Sequence, residues 1–186
     1  MQQTLVIFSG LPGTGKTSLS RKLARELHVP YLCIDDVVGE VPLNPTVQFW
    51  DSKVEILLGL TERQLEIGLS VIVDSVFMNK DRHHAQSLAY TYQTRFRPIH
   101  TFVSEEQVWR ERITRRYEES AHVTADWAQI ERQRTHFLKW EPDTALFLDG
   151  MKSVEENFRQ ALSFINDANV ALRPLDEVPL VRGNYH

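Results

Sequence analysis

Residues 4–18 read TLVIFSGLPGTGKTS, a short apolar run followed by a glycine-rich turn that ends in Lys-Thr-Ser. The first six residues are mostly β-branched or aromatic and stop at a glycine, which predicts a buried strand. After Thr17, leucines recur every fourth residue as far as Leu27, which predicts a helix with one apolar face. The glycine-rich turn therefore connects the end of a strand to the beginning of a helix.

This turn, residues 10–17, matches the phosphate-loop pattern G-x-x-x-x-G-K-[ST] in full. Its glycines allow the backbone N–H groups to face phosphate oxygens, and the following helix adds the positive end of its dipole. The Lys16 ammonium suits the β- and γ-phosphates, and the Thr17 hydroxyl suits Mg²⁺. We therefore predict that the chain binds ATP and Mg²⁺ through Gly10, Pro12, Gly13, Thr14, Gly15, Lys16, Thr17 and Ser18.

Apolar runs and segments of helical period alternate along the rest of the chain. Further strands are predicted at 31–35, 70–73, 97–103 and 144–148, and helices at 17–27, 46–67 (with a break near Gly59), 81–93, 105–119, 125–138 and 153–167. This alternation predicts an α/β three-layer sandwich with a five-stranded parallel sheet, the P-loop NTPase fold. Residues 1–170 would form one kinase domain with a lid at about 110–125, and residues 171–186 a tail.

Three aspartates follow predicted strands, where ligands of such sheets bind. Asp35 is our candidate for the general base that accepts a proton from the acceptor hydroxyl, and its neighbour Asp36 is a candidate substrate contact. Asp74 is predicted to hold Mg²⁺, either through water or by contacting Thr17. The next residue is Ser75 and not a glutamate that could activate water, which favours phosphoryl transfer over hydrolysis.

Residues 109–116 read WRERITRR and contain four arginines in a protein of net charge −4. On a helix, Arg112 and Arg116 lie four positions apart and share a face. Because phosphoryl transfer requires positive charge beside the developing anionic oxygens, both are candidate catalytic residues. Arg82, eight residues after Asp74, is a candidate substrate contact.

Composition limits the other possibilities. The acidic net charge argues against a protein that coats nucleic acid, and the single cysteine, Cys33, excludes an intramolecular disulfide and is interpreted as a core residue. We find no run of about 18 apolar residues and no basic leader, so a cytoplasmic protein without membrane contact is expected.

Taken together, these residues resemble the small P-loop kinases of the AAA_33 and zeta-toxin-like ATP-binding group, which includes polynucleotide 5′-kinases and chloramphenicol phosphotransferases. The resemblance covers roughly residues 4–150 and rests on residues 10–18, 34–38, 72–75 and 112–116. It implies that Asp35 is the general base and that Arg116, with Arg112 beside it, is the lid arginine. Polynucleotide kinases carry an arginine where this sequence has Val38, which disfavours a nucleic-acid acceptor.

Three functions remain open at this point. The first is a kinase that transfers the γ-phosphate of ATP to a hydroxyl of a small molecule or a nucleotide-like acceptor. The second is a kinase directed at a polynucleotide or RNA, which a basic groove reaching Asp35 would favour. The third is a non-catalytic ATP-binding regulatory module. The sequence names neither the acceptor nor the oligomeric state.

Overall fold

The structure, a computed structural model, describes residues 2–38, 49–119 and 125–175. Within these residues strands and helices alternate, as the sequence predicted. The elements are β1 Thr4–Ser9, α1 Lys16–Leu27, β2 Tyr31–Cys33, α2 Ile34–Val38, α3 Phe49–Glu66, β3 Val71–Asp74, α4 Asn79–Thr91, β4 Arg95–Phe102, α5 Glu106–Glu119, α6 Trp127–His136, β5 Leu146–Asp149 and α7 Val154–Asn166.

The strands form one parallel five-stranded sheet in the order β2-β3-β1-β4-β5. The central strand, β1, pairs Phe8 with Asp74 of β3 and with Ile99 of β4. Because the strands are parallel, their carboxyl ends lie at one edge, which carries the glycine-rich loop and Asp74. The predicted fold class is confirmed.

Helices cover both faces of the sheet, and each face has its own apolar core. On one face Leu5 and Ile7 of β1 pack in a cluster with residues of α3 and α4, such as Leu57 and Leu88. On the other face the cluster combines residues of β1, α1 and α7, namely Val6, Phe8, Leu19, Leu23, Phe158 and Ala161. β1 is therefore buried on both sides, which explains its continuous apolar sequence. Cys33 is buried, as the sequence predicted.

A third apolar cluster lies at the carboxyl edge of the sheet. It joins Leu11 of the glycine-rich loop and Val76 to Trp109 and Ile113 of α5 and Ile130 of α6. The amino-terminal part of the predicted lid is helix α5, while residues 120–124 lie outside the described residues. Among the residues that the structure describes, no helix is both long enough and apolar enough to span a membrane.

Several predicted boundaries differ from the observed ones by one or two residues; for example, the helix predicted at 81–93 spans Asn79–Thr91. The strand predicted at 31–35 ends at Cys33, and Asp35 and Asp36 lie in the first turn of the short helix α2, where the helix dipole favours acidic side chains. The predicted break in α3 near Gly59 is absent. Gly59 lies on the outer face with no atom within 4 Å of an added Cβ, while buried Leu57 and Leu58 hold the helix to the sheet.

Candidate functional site

The glycine-rich loop adopts a backbone conformation that only glycine supports at two positions. Gly10 has φ +147°, and a Cβ there would lie 2.4 Å from the backbone oxygen of Thr101. Gly13 has φ +79°, and a Cβ there would lie 2.6 Å from Cδ1 of Ile113. At Gly10 the obstacle is backbone, which cannot give way, and at Gly13 the Ile113 side chain would have to move. The loop is therefore packed between β4 on one side and α5 on the other.

Side chains from within the loop and from α5 hold its carbonyl groups. The Thr14 hydroxyl donates to the oxygen of Leu11 at 2.8 Å and hydrogen-bonds the Thr101 hydroxyl at 2.7 Å. The indole Nε1 of Trp109 donates to the oxygen of Pro12 at 2.8 Å. Thr14, predicted to bind the cofactor, therefore uses its side chain within the protein, which leaves its backbone N–H for a ligand.

Lys16 begins α1 and is only 9% exposed. Its ammonium group donates to the oxygen of Leu11 at 3.1 Å. Burial lowers the pKa of Lys16, the nearby Asp74 and Asp35 carboxylates act in the opposite direction, and the Arg116 guanidinium lowers it further. Three residues that the sequence nominated separately therefore act electrostatically on a fourth, Lys16, at the amino-terminal end of α1.

Asp74 is 2% exposed and is held by two hydroxyl groups that the sequence did not nominate. Its Oδ2 accepts a hydrogen bond from Ser20 at 3.1 Å and another from Tyr31 at 3.0 Å. No hydrogen bond reaches Oδ1 from the described residues, and the contact predicted between Asp74 and Thr17 is not among the hydrogen bonds. Burial, followed by the Asp74 charge, raises the pKa of the Tyr31 phenol, so Tyr31 stays protonated and donates.

This donor set fits Mg²⁺, which prefers one or two carboxylates together with hydroxyl and phosphate oxygens. Asp74 supplies a carboxylate of which only Oδ2 accepts hydrogen bonds from the described residues, and Thr17 offers its hydroxyl at the start of α1. Within residues 2–38, 49–119 and 125–175 there is no cluster of three or more His, Cys, Asp or Glu side chains that could hold a metal.

The two aspartates of α2 have different surroundings. Both are exposed, but Asp36 accepts hydrogen bonds from Nη2 of Arg21 at 3.0 and 2.7 Å. Asp35 makes no such pair among the described residues, and its charge acts on Lys16. The carboxylate predicted as the base is thus unpaired among the described residues, whereas Asp36 is paired with Arg21 on the outer face of α1.

The arginines of α5 also divide into groups. Nη1 of Arg112 donates to the oxygen of Gly150 at 3.0 Å, and Arg110 lies 5.9 Å from the ring centre of Trp127. Arg115 and Arg116 have no ion pair with any described residue. An open cavity of about 390 Å³ is lined by Arg112, Arg115, Arg116 and Glu119.

Gly150, which follows β5, packs against the glycine-rich loop. A Cβ at Gly150 would lie 2.8 Å from the backbone oxygen of Thr14. Its position directly after a strand, at the edge where ligands of such sheets bind, is the sequence signal that could have identified it.

Arg82 is 2% exposed, and its recorded contacts are internal. Its Nε donates to the oxygen of Phe77 at 2.9 Å and its Nη2 to the oxygen of Leu138 at 2.7 Å. The guanidinium lies 4.8 Å from the ring centre of Phe137 and 4.4 Å from that of Trp140. Burial lowers the pKa of Arg82 to about 9, so the group remains a cation at neutral pH. The predicted substrate contact stays a prediction, and the contacts present join α4 to the segment that follows α6.

Solved structures of low sequence identity share this fold. Chaetomium thermophilum Kti12 in complex with ADP-AlF3 has a TM-score of 0.70 at 18% identity, covering 88% of this chain and 100% of that chain. The Mycobacterium tuberculosis APS kinase CysC in complex with AMPPNP and APS has a TM-score of 0.63 at 18% identity, with 89% and 99% covered. A gluconokinase from Sinorhizobium meliloti 1021 has a TM-score of 0.61 at 17% identity, with 88% and 91% covered.

No curated protein matches this sequence. A family model does, and it spans most of the elements described above, from β1 to the segment that follows α6. The match covers residues 5–139, including the glycine-rich loop, α2, Asp74 and the arginines of α5. The chain therefore belongs to the AAA_33 family, whose description is AAA domain.

Proposed function

We propose that this protein is an ATP-dependent phosphotransferase, a kinase that transfers the γ-phosphate of ATP to a hydroxyl group of a small molecule or a nucleotide-like acceptor. The observation that carries the proposal is the glycine-rich loop between β1 and α1, which places the buried Lys16 at the same sheet edge as the buried Asp74. The charges of Asp74, Asp35 and Arg116 all act on the Lys16 ammonium group. Lys16 supplies the cation that a phosphate site needs, and Asp74 supplies the carboxylate that a metal site needs. Transfer also needs a base, here Asp35, and an additional positive charge, here Arg116. The family supports the same assignment.

The phosphate-binding half depends on the loop and on α1. The backbone N–H groups of residues 13–17 would donate to the phosphate oxygens, at the positive end of α1. Lys16 would exchange its hydrogen bond with the Leu11 oxygen for one with a phosphate oxygen. Because Lys16 is buried, its charge would act on the phosphates with little screening by water.

Mg²⁺ would be held by the Thr17 hydroxyl and by Asp74, whose orientation Ser20 and Tyr31 maintain. When bound, Mg²⁺ would neutralise part of the negative charge of the phosphates. The Thr17 and Asp74 assignments and the metal itself belong to this proposal.

Asp35 is the proposed general base. It would accept the proton of the acceptor hydroxyl as the acceptor oxygen bonds to the γ-phosphorus and the bond from that phosphorus to the bridging oxygen of ADP breaks. Arg116, with Arg112 beside it, would stabilise the negative charge that develops on the transferred group. Asp35 is exposed, which suits a base that must meet an acceptor arriving from solvent.

The experiment first identifies an acceptor with a panel of hydroxyl compounds and radiolabelled ATP, and then compares Asp35→Asn with Asp36→Asn. Loss of the base should lower transfer by about 10²- to 10⁴-fold while ATP affinity, measured by calorimetry, changes little. The neighbouring substitution should have a smaller effect, because Asp36 is paired with Arg21. Transfer at the wild-type rate in Asp35→Asn would remove this residue from the mechanism. ATP binding without transfer to any acceptor would favour the regulatory module.

One observation favours a polynucleotide acceptor as the second candidate. A groove of about 490 Å³ along α1 is lined by Thr17, Ser18, Arg21, Lys22 and Arg25, and Arg21 reaches Asp36 beside the proposed base. However, Arg21 and Lys22 are already paired with Asp36 and Glu155, which reduces the charge available to a nucleic-acid backbone. A 5′-hydroxyl oligonucleotide in the acceptor panel tests this candidate. If the oligonucleotide is phosphorylated in a salt-sensitive manner and Arg25→Ala weakens this activity, the polynucleotide acceptor becomes the first candidate.

A further inference from the structure

Trp109 contacts the phosphate loop from outside it. The residue lies in the first turns of α5 and is 6% exposed. Its indole Nε1 donates to the backbone oxygen of Pro12 at 2.8 Å, across 97 positions of the chain. One turn further along α5, Ile113 contacts the loop at Gly13. A single helix therefore contacts two successive residues of the loop.

The hydrogen bond fixes the direction of one peptide group. Among residues 2–38, 49–119 and 125–175 no peptide bond is cis. The oxygen of Pro12 and the N–H of Gly13 therefore point to opposite sides of a planar trans peptide. Because Trp109 holds this oxygen on the α5 side, the N–H of Gly13 faces away from α5. Without that contact, the peptide between Pro12 and Gly13 could rotate, since the φ of glycine is free on both sides of zero.

The N–H of Gly13 has no acceptor within the described residues, although two carbonyl groups of the same loop are satisfied. The oxygens of Leu11 and Pro12 both accept side-chain hydrogen bonds. A free backbone donor beside a buried ammonium group is suited to an anion.

We propose that Trp109 is a positioning residue for phosphate binding: by holding the Pro12 carbonyl, it directs the N–H of Gly13 toward the phosphates of the bound nucleotide. The inference rests on the phosphate-binding half of the proposed function, but not on the acceptor or on the base. It also gives α5 a second role, because the helix that carries Arg112 and Arg116 also orients the phosphate loop.

A neighbouring residue provides a matched control. Trp127 of α6 forms an edge-to-face pair with Trp109, with ring centres 5.3 Å apart and an interplanar angle of 84°. It has the same side chain in the same apolar cluster, but no hydrogen bond to the loop. Trp109→Phe and Trp127→Phe therefore each replace an indole by a phenyl ring, and only the first removes the contact with Pro12.

Calorimetry should compare the binding of MgATP, ADP and inorganic tripolyphosphate to the wild-type protein and to both variants. Loss of an oriented hydrogen bond to a charged ligand should weaken all three in Trp109→Phe by about 5- to 30-fold. In Trp127→Phe the affinities should stay within about twofold of wild type. Tripolyphosphate matters because it lacks the nucleoside, so a loss of its binding reports on the phosphate loop.

Wild-type affinities in Trp109→Phe, or an equal loss in both variants, would overturn the inference and leave the proposed function in place. Failure of the wild-type protein to bind any of the three ligands would overturn both. If Trp109→Phe fails to fold, the inference can still be tested by NMR on the indole N–H resonance of Trp109 in the wild-type protein. The Trp109 resonance should shift more than the Trp127 resonance when tripolyphosphate is added. If the two shifts are equal, the positioning role of Trp109 is refuted.

Discussion

The phosphate loop and helix α2 carry the two halves of the proposed reaction, and they are built in opposite ways. In the loop, Thr14 is 3% and Lys16 is 9% exposed, and contacts from β4, α5 and the turn after β5 hold the backbone. Helix α2 has five residues, and its two aspartates are exposed. The nucleotide half is therefore formed by packing before any ligand arrives, while the acceptor half depends on few contacts.

This difference predicts different consequences of mutation. Substitutions in the loop should impair folding and binding together, because the same contacts serve both. Substitutions in α2 should change the chemistry and leave stability nearly unchanged, because exposed side chains contribute little to folding.

The most damaging change should be Gly10→Ala. The added Cβ would meet the Thr101 backbone at 2.4 Å in a conformation of φ +147°, so we expect a loss of about 4 kcal/mol in the free energy of unfolding. Gly59→Ala is the control, since it lies in open space on α3 and should stabilise by about 1 kcal/mol. Urea unfolding curves measure both, and a tolerated Gly10→Ala would show that the loop is less constrained than described.

Arg82→Met tests whether a buried residue outside the loop is also structural. The change leaves the oxygens of Phe77 and Leu138 without their donor, while it removes a buried charge. We expect a loss of about 3 kcal/mol in unfolding free energy, with ATP affinity in the folded variant unchanged. A stable variant that binds ATP and has lost only transfer would instead support the predicted substrate contact.

Lys16→Ala should weaken MgATP binding by about 100-fold, because a buried cation that pairs with phosphate is lost. Lys22→Ala, on the exposed side of the same helix, should leave the affinity within a few-fold. Isothermal titration calorimetry measures both constants. Equal affinities for wild type and Lys16→Ala would contradict the assignment of the loop.

His100, opposite Ser9 in the pairing of β4 with β1, should make stability depend on pH. Burial, with smaller contributions from the charges of Arg82 and Lys16, lowers its pKa from 6.5 to about 4. The unfolded chain therefore binds the proton more readily between these values, and stability falls as the pH drops through that window. Allowing for partial exposure, His100→Phe should remove about 2 kcal/mol of this dependence.

Unfolding at pH 7 and at pH 4.5 measures the His100 effect, with the exposed His84→Gln variant as a control for general acid destabilisation. An unchanged pH dependence in His100→Phe would mean that the imidazole is protonated without penalty in the folded state.

The smallest effect is expected in α2. The ion pair of Arg21 and Asp36 has side chains that are 46% and 52% exposed, so Asp36→Asn should change the unfolding free energy by less than about 0.5 kcal/mol. A loss comparable to that of Gly10→Ala would end the distinction between the two regions.

The sequence predicted what is encoded locally. The phosphate loop could be predicted because its glycines and Lys16-Thr17 lie within eight residues. The alternating apolar runs predicted the parallel sheet. What it missed are contacts across the chain. Tyr31 reaches Asp74 across 43 positions, and Trp109 reaches Pro12 across 97. No spacing rule shows such pairs, because the sheet order places them together.

Arg82 illustrates the same limit from the other direction. Its distance from Asp74 along the chain suggested a place near the substrate, but burial depends on the rings of Phe137 and Trp140, more than fifty residues away. Likewise, the boundary between β2 and α2 depends on where the pairing with β3 ends, and residues 31–35 alone do not reveal it.

The central position of β1 has a consequence for synthesis. A ribosome makes this strand before either neighbour, and contacts such as Thr4 with Ser70 and with Arg95 join positions 66 and 91 apart. Until then, both edges of this apolar strand are unpaired in the nascent chain, and unpaired apolar strands are prone to associate with other chains. The phosphate loop can reach its folded conformation only after β4 has been synthesised. Nucleotide binding by a nascent chain would therefore show that translation has proceeded beyond β4.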